Sequence, residues 1–257
     1  MKIYIPTRGR ADNQVTLSFF PDGMRQNVTL VVDHDEADEY GQYDCNIMVC
    51  PNTVHDIATK RLYIHENTDD NKIVMLDDDL RFYIRKATND WHLRYLEAKE
   101  YPALFGLLDK WLDTYAHCGV SAREGNNRVE HLSVENTRYM RVLAYNLDMF
   151  DGIEIGRVKV MEDFDVNLQL LKKGRPSKIS YYYAQGQGSS NAAGGCSEWR
   201  TMEVQSQGAE RLKELHPDVV EVVEKETKTA WGGATRKDVK VQWKKAFKTG
   251  ANNGELF

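Results

Sequence analysis

The sequence predicts an α/β fold in which helices cover both faces of a mostly parallel central sheet. Short apolar runs end at Pro6, Asp33, Pro51 and Leu76, and they lack the alternation of a half-exposed strand, so we expect them to be buried on both faces. Segments with apolar residues at helical spacing lie between them. No internal repeat or Pro-rich linker interrupts this order. Strands that alternate with helices are typical of a parallel sheet.

The first half of the chain supplies four strands. They are predicted in "KIYI", "NVTLVVD", "CNIMVC" and "KIVML", and the loop "TRGR" follows the first of them. A helix is expected in "TVHDIATKRLYIHE", where apolar residues recur every three or four positions.

The second half is predicted to bring two longer helices and one strand. The first helix is expected in "YPALFGLLDKWLDTYAHCG" and should end before Gly119. A strand follows in "YMRVLAYNL". The second helix lies in "VMEDFDVNLQLLKKG", with acids in its first turn, lysines in its last turn and Gly174 as a stop.

The composition is that of an ordinary globular protein. The 257 residues are 41% hydrophobic and 28% charged, and the formal net charge is −5, so total charge gives no reason to expect nucleic acid or an anionic membrane. The four cysteines (Cys45, Cys50, Cys118 and Cys196) lack metal-knuckle or redox-motif spacing and are expected to be reduced thiols. Without a signal peptide or membrane span, we expect a cytoplasmic protein with no membrane or obligate protein partner.

Three consecutive aspartates directly follow the fourth strand. Asp77, Asp78 and Asp79 would emerge at the carboxyl end of that strand, which is where ligands bind in open α/β sheets. Closely placed carboxylates repel one another unless a cation or a shared proton relieves them, and this favours a divalent metal. The alternative is a solvated acidic loop in which Asp78 caps the next element.

A second acidic group opens the later helix. Glu162, Asp163 and Asp165 lie in its first turn, where the helix dipole alone favours carboxylates. The combination of the two groups is more informative than either, because a cation site and one further carboxylate can serve the same reaction centre.

Three motifs in order resemble the nucleotide-sugar glycosyltransferases of the GT-A fold. They are "IPTRGR" at 5–10, "MLDDDL" at 75–80 and "MEDFDV" at 161–166. The resemblance implies a Rossmann-like nucleotide-sugar-binding fold over residues 1–200, with a donor half (1–100) and an acceptor half (101–200). Residues 201–257 would then form a helical and basic C-terminal extension packed on the same domain.

The same resemblance implies roles for individual residues. Asp77 would meet the ribose of a UDP-sugar, Asp79 would bind Mn²⁺ or Mg²⁺ with Asp77 nearby, and Asp33 would meet the base. Arg61 would lie near the nucleotide, and Asp163 would be the catalytic base of an inverting enzyme, with Glu162 in reserve. The remaining donor-binding residues would be Pro6, Thr7, Arg8, Arg10 and Asp78.

Shorter strings are similar to the phage TET-associated glycosyltransferases, which act on hydroxylated DNA bases such as 5-hydroxymethylcytosine. They are "IPTRGR", "GVSAREGNNR" and the Gly-rich "GSSNAAGGCS". The Gly-rich segment Tyr183–Arg200 is expected to be either a plain loop or a lid over phosphates. Many GT-A members place a metal-binding His in this region, whereas here the nearest candidate, His216, is expected at a helix end.

The basic C-terminal segment is the candidate DNA-binding surface. In "DVKVQWKKAFK" the residues Val239, Val241 and Trp243 alternate with polar positions, and the cations would face phosphates. The predicted contacts are Arg236, Lys237, Lys240, Lys244 and Lys245. A solvated face of an amphipathic element is the alternative.

Other functional classes stay open at this point. The acceptor could be a glycan or a protein, and the enzyme could be a nucleotidyltransferase or an aspartate-nucleophile phosphatase, although Leu80 after the triplet disfavours the phosphatase. A noncatalytic reader of DNA modification is also possible, and the intact Asp79 and Asp163 disfavour it.

Overall fold

A large mixed sheet forms the centre of the molecule. The computed structural model describes residues 1–87, 89–187, 200–226 and 233–252. Within these residues ten strands form one sheet, in the order β3-β2-β1-β4-β9-β7-β10-β5-β6 with β8 paired to β10. The strands are β1 (Lys2–Pro6), β2 (Val28–Asp33), β3 (Asn46–Cys50), β4 (Lys72–Leu76), β5 (Leu80–Lys86), β6 (Asn89–Tyr95), β7 (His117–Ala122), β8 (Ser133–Glu135), β9 (Val142–Asn146) and β10 (Ser177–Gln187).

Helices cover both faces of this sheet. They are α1 (Val15–Ser18), α2 (Asp22–Arg25), α3 (Ile57–Asn67), α4 (Tyr101–Trp111) and α5 (Glu162–Lys172), with short 3-10 helices at His34–Gln42, Ala98–Glu100, Asn126–Arg128 and Leu147–Met149. Leu104 and Leu108 of α4 belong to the core on one face, whereas Val166 and Leu170 of α5 belong to the core on the other. The predicted α/β class is confirmed.

The parallel part of the sheet is its first half. β3, β2, β1 and β4 all run in the same direction, as the sequence predicts, and β2 is buried along its whole length. β9 runs antiparallel to β4, and antiparallel pairs dominate beyond it. The carboxyl ends of β1, β2 and β4 therefore lie at one edge, where a ligand site is expected.

Two elements differ from the sequence prediction. The helix expected up to Gly119 ends at Trp111, and residues 117–122 form the buried strand β7. A Cβ on Gly119 would lie 2.6 Å from the carbonyl oxygen of Val142, so the absence of a side chain lets β7 approach β9 closely. In addition, β5 begins at Leu80, directly after the aspartate triplet.

The C-terminal residues pack on α5. They form α6 (Met202–Leu215), the hairpin of β11 (Val220–Glu226) and β12 (Thr235–Val241), and α7 (Trp243–Asn252). A third core joins Phe164, Leu168 and Leu171 of α5 to Leu212 of α6 and Ala246 of α7. In the described part of the chain, no helix is long and apolar enough to cross a membrane. Cys45, Cys50 and Cys118 are free thiols, and Cys196 lies outside the described residues.

Candidate active site

Asp33 is held between two cations at the end of β2. Its Oδ2 accepts a hydrogen bond from Arg8 Nη1 at 2.5 Å, and its Oδ1 lies 2.5 Å from Lys60 Nζ. Lys60 also donates to the carbonyl oxygen of Thr7 at 2.5 Å, which ties α3 to the loop after Pro6. Both Asp33 and Lys60 are buried, while Arg8 is partly exposed. Arg8 is therefore the member of this group that is accessible from solvent.

Asp78 fastens the loop after β1 to the aspartate triplet. It accepts a hydrogen bond from Thr7 Oγ1 at 2.6 Å and pairs with Arg10. The carboxyl group is buried, and burial raises the pKa of Asp78, although the charge of Arg10 opposes that rise. Its contacts give Asp78 a supporting role beneath the predicted donor site.

Arg61 joins the two acidic motifs. Its Nη2 lies 3.1 Å from Asp77 Oδ1, and its Nη1 donates to Glu162 Oε1. The guanidinium is buried, so it contacts these carboxylates beneath the surface on which the sequence places the nucleotide. Burial raises the pKa of Asp77 to about 6 and also raises the pKa of Glu162, while Arg61 opposes both shifts. One side chain thus holds the end of β4 against the start of α5.

Asp163 is the more accessible carboxylate at the start of α5. Glu162 is buried against Arg61, whereas Asp163 is partly exposed and accepts a hydrogen bond from the backbone N–H of Phe164 at 3.0 Å. Both carboxylates line a small cleft with Arg61 and Tyr145. Met161, before them, has a left-handed backbone with φ of 71°, an unusual conformation for this residue type. From this first turn of α5, Glu162 contacts the end of β4 through Arg61.

The remaining aspartate of the triplet, Asp79, is the predicted metal ligand. The side chains of Asp77 and Asp79 are 30% and 21% exposed, and Arg10 lies 3.4 Å from Asp79 Oδ2. No group of three or more His, Cys, Asp or Glu side chains is arranged to hold a metal in the described residues. Carboxylate oxygens suit Mg²⁺ or Mn²⁺, and such ions commonly take only one or two protein carboxylates and complete their shell with phosphate oxygens and water.

His216, the nearest candidate for a metal-binding histidine, pairs with Asp165 instead. It ends α6, is buried, and its Nε2 lies 2.7 Å from Asp165 Oδ1. Asp165 also pairs with Arg157 at 2.6 Å, and these two partners together lower the pKa of Asp165 against the effect of burial. The pair joins α6 to α5, as expected of a residue at a helix end.

Sequence reasoning missed two basic residues at this edge. Lys60 precedes Arg61 on α3 and reaches Asp33. The carbonyl oxygen of Arg141 accepts a hydrogen bond from the backbone N–H of Asp77 at 3.0 Å. Arg141 has φ of 66° and donates to Gln185 Oε1 at 3.3 Å. A lysine within an amphipathic helix gives no signal of burial, and the position of Arg141 depends on β9 pairing with β4.

The Gly-rich segment lies mainly outside the described residues, which stop at Gln187 and resume at Arg200. Its point of departure is clear, because Gln187 at the end of β10 pairs with Leu80, the residue after Asp79. Its role as a lid or a plain loop stays a prediction.

The predicted DNA-binding cations do not share one face. The alternation stops at Val241, because Trp243 begins α7. Lys237 pairs with Glu210 of α6, Arg236 pairs with Asp238, and Lys245 donates to the carbonyl oxygen of Asp218. Lys240 and Lys244 are exposed. DNA binding by this segment stays a prediction.

A family model for TET-associated glycosyltransferases matches residues 1–195, which is most of the chain. The chain belongs to this family. Membership confirms the glycosyltransferase class expected from the three motifs.

Two phage proteins are similar along most of their length. The beta-glucosyl-HMC-alpha-glucosyl-transferase of Enterobacteria phage T2 is 22% identical over 236 residues, covering 85% of this chain and 82% of the relative. The protein of the same name from phage T6 is 23% identical over 237 residues, with the same coverage.

The chain was also compared with solved structures. GalNAc-T7, crystallised with UDP, GalNAc and Mn²⁺, superposes with a TM-score of 0.52 at 8% identity, over 84% of this TET-associated glycosyltransferase and 47% of GalNAc-T7. TarS of S. aureus in complex with UDP gives a TM-score of 0.49 at 12% identity, over 85% and 66% of the two chains. The superposition with GalNAc-T7 confirms the GT-A fold expected from the three motifs.

Proposed function

We propose that this enzyme transfers a hexose from a UDP-sugar to a hydroxylated base in DNA, such as 5-hydroxymethylcytosine. The names of the T2 and T6 relatives support an HMC-based acceptor, and the UDP in the GalNAc-T7 and TarS complexes supports the donor class. A glycan or protein acceptor is the alternative, and the same assay distinguishes them.

The ion pairs of Arg61 carry the proposal. They bring the carboxylates of Asp77 and Glu162, 85 positions apart in the sequence, onto one guanidinium. Asp163, the neighbour of Glu162, is thereby held close to the end of β4. A diphosphate bound at the aspartate triplet would therefore have a further carboxylate within reach of its sugar, and transfer requires this arrangement.

Donor binding is assigned to the edge formed by β1, β2 and β4. Arg8 and Arg10 face the diphosphate and nucleoside, Asp33 positions Arg8, and Asp78 with Thr7 holds the loop. Asp79, with Asp77, would hold Mg²⁺ or Mn²⁺. Such a cation supplies positive charge that stabilises the diphosphate leaving group.

Asp163 acts at the reacting centre. If configuration at the anomeric carbon is inverted, Asp163 takes the proton of the acceptor hydroxyl as general base. If configuration is retained, its carboxylate instead faces the positively charged sugar in the transition state. Glu162 positions Asp163 through Arg61 in either case.

The test is a transfer assay with purified protein, UDP-sugars, Mg²⁺ or Mn²⁺, and an acceptor panel. The panel contains unmodified DNA, DNA with 5-hydroxymethylcytosine, DNA with its β-glucosylated form, a glycan and a protein, and the readout is a mass gain of one hexose. We expect transfer to modified DNA alone, and loss of transfer in the presence of a chelator.

The matched variants are Asp79→Ala and Asp69→Ala, which alter carboxylates at opposite ends of β4. Asp79→Ala should abolish transfer while the protein stays folded, because the leaving group loses its counter-ion. Asp69→Ala should transfer at the wild-type rate. Full turnover by Asp79→Ala or in chelator would refute the metal site, and transfer to the glycan or protein would refute the DNA acceptor.

A further inference from the structure

A strip of alternating aromatic rings and arginines runs along β5 and β6, outside the site described above. Its members are Phe19, Arg81, Tyr95, Tyr83 and Arg123, and we call it the arginine–aromatic strip. The guanidinium carbon of Arg81 lies 5.3 Å from the ring centre of Phe19 and 6.0 Å from that of Tyr95. Tyr95 stacks on Tyr83 with ring centres 4.9 Å apart, and Arg123 lies 5.2 Å from the ring of Tyr83.

Strand pairing places these side chains on one face of the sheet. Arg81 and Tyr83 are two residues apart on β5, and Tyr95 is directly opposite Tyr83 on β6. The facing residues on β10 are small: Gly186 is opposite Arg81 and Ala184 is opposite Tyr83. A Cβ on Gly186 would lie 3.3 Å from the Tyr83 ring, so a larger residue there would crowd the strip.

Two of the three rings in the strip are exposed. Tyr95 is 56% exposed and Phe19 is 39% exposed, whereas Tyr83 beneath Tyr95 is buried. Large exposed aromatic residues in a cluster are uncommon unless they bind a partner. Stacked tyrosines with an open upper ring offer a flat apolar surface of the kind on which bases stack.

The positive charge of the strip is available to a partner. The donor-site arginines Arg8, Arg10 and Arg61 pair with Asp33, Asp78, Asp77 and Glu162. Arg236 and Lys237 in the C-terminal hairpin pair with Asp238 and Glu210. By contrast, Arg81 and Arg123 are exposed, and among the described residues no carboxylate forms an ion pair with either.

The strip starts beside the reacting centre. Arg81 is the second residue of β5 and follows Asp79, in the turn before the strand, by two positions, so their Cα atoms are at most about 7 Å apart. The backbone N–H of Arg123 donates to the carbonyl oxygen of Gln185. The side chain of Gln185 accepts a hydrogen bond from Arg141, the residue before β9, whose carbonyl oxygen contacts Asp77 at the end of β4. A polymer bound along the strip would therefore pass the site where the sugar is released.

We propose that the arginine–aromatic strip binds an unpaired stretch of the DNA acceptor, with bases stacked on Tyr95 and Phe19 and phosphates paired with Arg81 and Arg123. Aromatic platforms interleaved with arginines are the usual means of holding single strands. Stacking needs open base faces, so the bound stretch is unpaired. This inference rests on the proposed DNA acceptor and specifies where the acceptor lies.

The test measures binding of the full-length protein to a single-stranded oligonucleotide that contains 5-hydroxymethylcytosine and a neighbouring 2-aminopurine. Tyr95→Ala should weaken binding by about tenfold or more, and it should reduce the stacking-dependent quenching of 2-aminopurine. The double variant Arg81→Gln, Arg123→Gln should flatten the slope of log affinity against log salt by about 0.7 per lost contact. UDP binding should be unchanged in both.

The control variants change an exposed apolar residue and an exposed arginine that lie outside the strip. Leu132 is 58% exposed and Arg211 is an exposed arginine on α6, so Leu132→Ala and Arg211→Gln should bind DNA like the wild type. A Lys240→Gln, Lys244→Gln variant tests the C-terminal segment. Greater loss of affinity in this variant than in the strip variants would overturn the proposal.

The remaining outcomes separate the strip from the function. Wild-type binding and quenching by the strip variants, with transfer to DNA intact, would refute the strip and leave the proposed function standing. A wild-type protein that neither binds nor modifies DNA would refute both. Equal weakening on a fully paired duplex and on the single strand would also overturn the proposal, because stacked pairs leave no base face for Tyr95.

Discussion

Arg61 shows how one buried side chain can set the geometry of a site that it does not enter. Its charge is balanced by two carboxylates, one at the end of β4 and one at the start of α5. Removing one partner from a buried ion pair typically costs about 3–5 kcal/mol, because the remaining charge is left uncompensated. The two neighbouring acids of α5 should therefore respond differently to neutralisation.

We expect Glu162→Gln to lower stability and Asp163→Asn to lower turnover. Glu162→Gln leaves Arg61 short of one charge, so the unfolding free energy should fall by about 3 kcal/mol, measured by urea titration. Asp163→Asn should keep wild-type stability and UDP-sugar affinity and reduce kcat by about 10²- to 10⁴-fold. Near-wild-type kcat in Asp163→Asn would mean that another group acts on the acceptor.

Two glycines show how differently helices α4 and α6 are packed. A Cβ on Gly106 of α4 would meet nothing within 4 Å, because this position faces solvent. A Cβ on Gly208 of α6 would lie 2.8 Å from the carbonyl oxygen of Val160, on the segment that leads into α5. The closeness of α6 to this segment depends on the missing side chain.

The same substitution should therefore have opposite effects at the two positions. Gly106→Ala should stabilise the protein by up to about 1 kcal/mol through helix propensity. Gly208→Ala should destabilise it by about 1–3 kcal/mol, because α6 must move away from Val160. Urea unfolding of both variants is the measurement. Stabilisation by Gly208→Ala would show that α6 does not press on Val160 in solution.

The sequence predicts the parallel half of the sheet well because its strands are continuous apolar runs that end in turn residues. It fails at β7, where Leu112 and Tyr115 continue the helical spacing of α4 although the helix ends at Trp111. A fully buried strand such as β7 has no alternation to reveal it. Only its pairing with β9 and β10 identifies it.

The motifs give the order of the acids along the chain, but they do not determine which basic residue pairs with each acid. Asp77 and Asp163 follow from local patterns at the ends of β4 and the start of α5. The contacts of Arg61 with Glu162 and of Lys60 with Asp33 join residues far apart in sequence. Which cation reaches which carboxylate depends on the packing of α3 against the sheet, and no local pattern encodes it.

His117 gives the whole fold a dependence on pH. Its ring is fully buried on β7, stacked on Tyr139 at 3.9 Å and close to Tyr145. Neither ring nitrogen has a hydrogen-bond partner among the described residues, and Arg61 lies near enough to repel a proton. Burial lowers the pKa of His117 to about 3 from its ordinary value of 6.5. Between pH 6.5 and pH 3, His117 is therefore protonated in the unfolded chain but not in the native state.

Stability due to His117 should fall as the pH falls from 6.5 toward 3, by up to about 1.4 kcal/mol per pH unit. The raised pKa of Glu162 contributes with the opposite sign in part of this window, so the comparison is with His117→Phe, in which Glu162 is unchanged. Unfolding free energies measured from pH 7 to pH 4.5 should fall less steeply for His117→Phe. Parallel curves would show that His117 is protonated in the native protein.

The contact between α7 and the end of α5 joins the C-terminal segment to the helix that carries Glu162 and Asp163. A Cβ on Gly250 would lie within 2.6 Å of backbone atoms of Leu171, Lys172 and Gly174, so α7 rests directly on the turn that closes α5. The family match ends at residue 195, before this segment begins. A substitution that pushed α7 away from this turn would therefore act on Glu162 and Asp163 through α5, from the opposite end of that helix.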